Sequence, residues 1–198
     1  MSSSKGRAKL LKSALALIAC GALTTACAST ESDSNEAADA PAGDGVITVG
    51  TTDKITKLDP AGSYDNGSYN VMRQVYGFLL ETPQGARDAE PVPSLAESAE
   101  FTSPTEYTVK LKEGLKFENG NDLTSSDVKF TFDRQIAIDD PNGPASMLAN
   151  LDSVEAPDDT TVVFKLKEGN DQTFPFVLNS PVSPIVDEDV FPACLLYT

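Results

Sequence analysis

Two nine-residue stretches constrain most what this chain can fold into. "EYTVKLKEG" (106–114) alternates, with Tyr107, Val109 and Leu111 on one face and Thr108, Lys110 and Lys112 on the other. That period of two marks a half-buried strand, whose apolar face must be covered. "TVVFKLKEG" (161–169) repeats the pattern and the same ending. The flanking sequences differ, so these are two sheet strands that each close in a turn, not a duplicated domain. Gly114 and Gly169 are expected to supply the permissive backbone of those turns. "LDSVEAPDDT" (151–160) is a strand followed by a Pro-Asp-Asp turn, so 151–167 is predicted to be a hairpin.

A cover for that face comes from "LKFENGNDLTSSDVKFTF" (115–132). Its polar density admits three readings: a catalytic carboxylate pair, a calcium loop, or a turn and a capped helix. A calcium loop needs acids at alternating positions before the glycine, and only Glu118 fits. Asn119-Gly120 is a turn pair. Thr124 stands three residues before Asp127, the spacing of a capping box. Val128, Phe132 and Ile136 then recur every four residues, which predicts a helix over 125–137 burying that stripe. The cluster is therefore read as punctuation.

Upstream, "VITVGTT" (46–52) is β-branched and predicts a strand. "KLDPAGSYDNG" (57–67) holds Asp-Pro and Asn-Gly turn pairs and predicts a loop. From Ser68 the period changes. Met72, Val75, Tyr76, Leu79 and Leu80 form one helical apolar face, with Arg73, Gln74 and Gly77 opposite and Pro83 as the stop. This face is expected to lack its main partner here and to stay exposed.

The chain has no histidine, which removes the commonest general base and zinc ligand and the histidine-dependent triads. No glycine-rich phosphate loop of either usual spacing occurs. No cofactor or metal site is expected. Net charge is −15, from 30 acids and 15 bases, so phosphate backbones are poor partners and nucleic-acid binding is excluded. A carboxylate-dependent hydrolase stays open, although with 30 acids such pairs arise by chance.

Residues 1–12 carry Lys5, Arg7, Lys9 and Lys12, and an apolar run, "SALALIACGAL" (13–23), follows. The run is shorter than the about 20 residues a bilayer span needs, so 1–26 reads as an export signal. It resembles a bacterial lipoprotein signal, in which the cysteine after a small residue is lipidated. "LIAC" ending at Cys20 fits the usual pattern letter by letter, whereas "TTAC" ending at Cys27 has Thr24 where leucine is usual. Cys27 is nevertheless the expected attachment point. It leaves an apolar core of ordinary length and sets "ASTESDSNEAADAPAGDG" (28–45) directly after the lipid. That tract has no large apolar residue, so 27–45 is expected to be a disordered tether. The remaining cysteine, Cys194, is then without a disulfide partner.

"KLDPAGSYDNGSYNVMRQVYGFLLE" (57–81), "PVPSLAESAEFTSPTEYTVKLKEGLKFENGNDLTSSDVKFTFDR" (91–134) and "LDSVEAPDDTTVVFKLKEG" (151–169) carry a likeness. Their order resembles the peptide and oligopeptide ABC-transporter solute-binding proteins, extracellular solute-binding protein family 5. The resemblance implies a two-lobed α/β, periplasmic-binding-protein-like fold of class II that closes on its ligand by a hinge. It implies no catalysis. Residues 46–79 would begin large lobe I, 80–185 would form the small α+β extra domain, and 186–198 would return toward lobe I. The implied function is a lipid-anchored extracytoplasmic receptor, a monomer that captures peptides or another small solute and delivers them to an ABC permease complex at the membrane. A peptide or pheromone sensor on the same fold is the alternative. "SYDN" (63–66) aligns with a segment lining the family's cleft, so Tyr64, Asp65 and Asn66 are the expected ligand contacts. Family members are longer, and the chain is expected to cover their first third. Its ending, "ACLLYT" (193–198), departs from the family. It matches what a transposon-derived sequencing adapter would encode, so the last residues are expected to be artefactual.

Overall fold

The computed structural model describes residues 48–86 and 89–194. The export signal, Cys20, Cys27, the tether and residues 195–198 lie outside the described residues. Along the chain come α1 (Asn66–Val75), β1 (Leu80–Glu81), β2 (Val92–Pro93), β3 (Ala96–Ser103) and β4 (Glu106–Leu111). Then follow α2 (Ser125–Ile138), β5 (Leu151–Asp158), β6 (Thr161–Leu166) and α3 (Phe174–Val177). Tight 3-10 turns form at Pro60–Gly62 and Ala145–Leu148.

The two alternating strands are neighbours in one antiparallel sheet of order β3-β4-β6-β5, with Val109 opposite Val162 and Tyr107 opposite Phe164. β5 and β6 are the expected hairpin. Tyr107, Val109 and Leu111 all face inward, as the alternation requires. α2 covers this face with Val128 and Phe132, both wholly buried. The ring of Phe132 meets that of Phe164 edge-to-face at 5.0 Å, and Phe164 meets Phe174 at 5.5 Å. Burying one such ring contributes about 3 kcal/mol. The sheet edges carry Glu97 and Glu100 on β3, and Asp152, Glu155 and Pro157 on β5, residues that discourage pairing with another chain. β1 and β2 make a separate two-stranded ribbon.

α2 starts as predicted. Thr124 is the N-cap, and its backbone N–H donates to Asp127 Oδ2 at 2.9 Å, completing the capping box. Its buried stripe differs. Ile136 is 44% exposed, while Thr131 and Gln135 are buried. The segment 180–187 covers that side of the helix. Gln135 Nε2 donates to the Val182 carbonyl at 3.1 Å, and Thr131 Oγ1 accepts from the Val186 N–H at 3.0 Å.

Three further expectations are corrected. Residues 48–52 are not a strand: they are exposed, Val49 to 82%, and no described strand pairs with them, so β propensity alone does not hold them extended in a sheet. The helix from Ser68 begins two residues earlier and ends at Val75. Tyr76 turns extended, and Gly77 forms a bridge with Ile185, whose N–H donates to the Gly77 carbonyl at 3.0 Å. Leaving the helix carries Phe78, Leu79 and Leu80 into the core with Met72, so that face is not exposed; Val75, on the predicted stripe, points to solvent. Gly114 has the expected positive φ of 69°, but at the second turn Asn170 takes it, at 61°. Gly169 serves close approach instead: a Cβ there would stand 3.0 Å from the Pro104 carbonyl oxygen.

Candidate functional site

The loop 56–66 is built by side chains that hold backbone. Asp59 caps the Pro60–Gly62 turn, its Oδ1 accepting from the Ala61 N–H at 3.0 Å. The same carboxylate takes a bidentate pair from Arg134 on α2, at 2.8 and 2.6 Å, with both side chains buried. Arg134 also donates to the carbonyls of Pro192 at 2.7 Å and Cys194 at 2.8 Å, under the ring of Phe191. One guanidinium thus ties the loop to the segment 192–194. Sequence reasoning found Asp59 only as part of a turn; its partner lies 75 residues away and left no local trace.

Asp65 is the N-cap of α1. Its Oδ1 accepts from the Ser68 N–H at 2.8 Å, and its Oδ2 accepts from Ser63 Oγ at 2.8 Å and from Thr56 Oγ1. Burial pushes its carboxyl up, but these hydrogen bonds outweigh it, Thr56 foremost, and hold it down at about 2. It is ionised at neutral pH. Gly67 behind it is required, since a Cβ would fall 2.2 Å from the Lys54 carbonyl oxygen. Tyr64 is 55% exposed, and Asn66 is exposed at the first turn of α1.

An open pocket of about 390 Å³ lies beside this loop, lined by Thr56, Lys57, Gly62, Tyr64, Asp65 and the turn Pro141–Gly143. Gly143 packs so closely on Ala61 that a Cβ would meet its carbonyl oxygen at 2.3 Å. Lys57 Nζ reaches Asp140 Oδ2 at 3.2 Å and closes one side. Tyr64 and Asp65 thus border one cavity; Asn66 does not line it. An aromatic ring, a carboxylate and an ammonium around an open cavity equip it to hold a polar ligand.

The polar residues around Asn119 have a different role. Asn119 and Asn121 donate from Nδ2 to Asp187 Oδ2 at 2.7 and 2.9 Å, and Asp127 Oδ1 accepts from the Glu188 N–H at 3.1 Å. They pin the segment 187–188 and cap α2. Among the described residues no group of acids, cysteines or histidines is arranged to hold a metal ion.

The mixed α/β fold is that of the class II periplasmic binding proteins, shared with solved structures over about 70% of this chain. The sequence profile of the bacterial extracellular solute-binding proteins, family 5 Middle, matches residues 90–193, and the chain belongs to this family, one of binding proteins rather than enzymes. The oligopeptide-binding protein AppA of Bacillus subtilis (strain 168) is 34% identical over 145 residues, 72% of this chain and 26% of that one. The glutathione-binding protein GsiB of Escherichia coli (strain K12) is 35% identical over 130 residues, 63% of this chain and 24% of its own. The solved structure of AppA in complex with a nonapeptide superposes with a TM-score of 0.60 at 30% identity, covering 68% of this chain and 26% of that one. The clavulanic acid biosynthesis oligopeptide binding protein 2 gives 0.62 at 26% identity, covering 69% and 28%. The matched part of the chain therefore spans about a quarter of the length of these relatives.

Proposed function

We propose that this chain is part of a lipid-anchored extracytoplasmic receptor that captures peptides and hands them to an ABC importer. The observation that carries this reading is the match to a relative solved with a nonapeptide bound. In this reading Cys27 carries the lipid, 27–45 is the tether, 46–79 opens lobe I, 80–185 is the small domain and 186–198 returns toward lobe I. The pocket beside Tyr64 takes part of the peptide. Tyr64 packs on a peptide side chain. Asp65 accepts from a peptide amine. Asn66 bonds a backbone amide from the neighbouring helix turn.

Calorimetric titration of the full-length gene product with peptide mixtures, and separately with glutathione, tests the ligand class. Saturable peptide binding without hydrolysis is the expected result; turnover abolished by an acid-to-amide substitution would overturn it. For the site, Tyr64→Ala and Asp65→Ala should each weaken peptide binding by more than about twofold, ~0.4 kcal/mol. Unchanged affinity would reduce 63–66 to a turn and cap. For the anchor, Cys27→Ser should release the protein into the medium and Cys20→Ser should not. The reverse would move the lipid to Cys20.

A further inference from the structure

A second pocket, of about 230 Å³, opens beside β3, β4 and α3 and shares no residue with the pocket beside Tyr64. Three aromatic residues are among its lining, Phe101 on β3, Phe176 on α3 and the nearly buried Tyr107 on β4. Phe101 and Tyr107 are cross-strand partners, their rings edge-to-face with centroids 4.9 Å apart. Phe176 leaves 50% of its surface in water, while Phe174 on the same helix is buried to 2%. Glu90 and Glu100 also line it, with Pro91, Ala99, Gln172 and Pro175, and among the described residues no lysine or arginine does. Among the described residues neither carboxylate is engaged in an ion pair or a hydrogen bond.

This combination selects by charge and by hydration. Aromatic ring faces carry a negative quadrupole and attract cations. The two carboxylates add a negative field, and the field reaches Tyr107: burial first, then the charge of Glu100, pushes its phenol up to about 12. A hard metal ion would want several oxygen ligands, which the aromatic walls do not offer. An organic cation suits ring walls and carboxylates together. The volume is below the roughly 300–1,000 Å³ of sites for drug-sized ligands, which limits the occupant to a small cation or the end of one side chain.

We propose that this pocket binds an organic monocation, an alkylammonium or guanidinium group, held against Phe101 and Phe176 and neutralised by Glu90 and Glu100. A free amine and a basic side chain share this chemistry. The test is ¹⁵N NMR titration of the full chain at constant ionic strength with tetramethylammonium, its neutral isostere 2,2-dimethylpropanol, and Nα-acetyl-lysine methylamide. Saturable shifts confined to the amides of 99–101, 107, 172–174 and 176 are expected with the cations and not with the alcohol. Glu90→Gln and Glu100→Gln should each weaken binding by about fivefold, ~1 kcal/mol, with the remaining spectrum unchanged. Phe176→Ala should weaken it similarly. Tighter binding of the capped lysine than of tetramethylammonium assigns the site to basic side chains, and the opposite order assigns it to fully alkylated ammonium groups; either supports the proposal. No saturable shift, equal shifts with the alcohol, or affinity unchanged in both glutamine variants overturns it.

Discussion

Removing Asp59 should be among the costliest single changes in the described fold. Asp59 and Arg134 meet in two parallel N–H···O bonds of 2.8 and 2.6 Å, with side chains only 1% and 2% exposed. Breaking a buried pair by deleting one partner typically costs about 3–5 kcal/mol, because the other charge is stranded. In Asp59→Ala the guanidinium keeps its bonds to the Pro192 and Cys194 carbonyls and its place against Phe191, so the lower end applies, about 3 kcal/mol. The turn at Pro60–Gly62 also loses its cap, worth about 1 kcal/mol. The expected total is about 4 kcal/mol, read as a lowered urea midpoint at unchanged m-value. Asp59→Leu with Arg134→Met should recover much of the loss, since an apolar pair of similar volume is often neutral, within about 1–4 kcal/mol in its favour. The four stabilities close a double-mutant cycle. An Asp59→Ala cost below about 1 kcal/mol would refute the argument, for it would mean that the pair is worth no more than a surface ion pair.

Thr124→Ala should lower stability by about 1 kcal/mol in the same urea assay, through loss of the capping box, and should leave ligand affinity of the full-length protein unchanged. Gly67→Ala should cost about 1–3 kcal/mol, because the added Cβ meets backbone at the Lys54 carbonyl rather than a side chain that can move. Asp65 should contribute to acid stability with a definite sign. Its folded carboxyl is depressed from 3.8 to about 2, so its contribution is complete above 3.8 and is lost as pH falls toward 2. Acid titration followed by circular dichroism should show Asp65→Asn differing from the parent at neutral pH and converging with it near pH 2.

What the sequence determined by itself is what depends on near neighbours. The alternation of 106–111 and 161–166 decides which side chains face the core, and the Pro-Asp-Asp turn closes β5 onto β6 within a few residues. Thr124 and Asp127 cap α2 across three residues, and Asp65 caps α1 the same way. Tyr64 and Asp65, found by resemblance, do border one cavity, whereas Asn66 does not line it. Tertiary structure decided everything that depended on a distant partner. α1 stops at Val75 because Gly77 pairs with Ile185, more than a hundred residues on, although the apolar period continues to Leu80. α2 buries Gln135 rather than Ile136 because Val182 and Val186 cover that side. Residues 48–52 have strand propensity but no described strand beside them, and propensity without a hydrogen-bonding neighbour leaves the backbone in water. Arg134 and Asp59 look like surface charges when read singly; only the fold brings them together out of water, where a charge without its partner is costly.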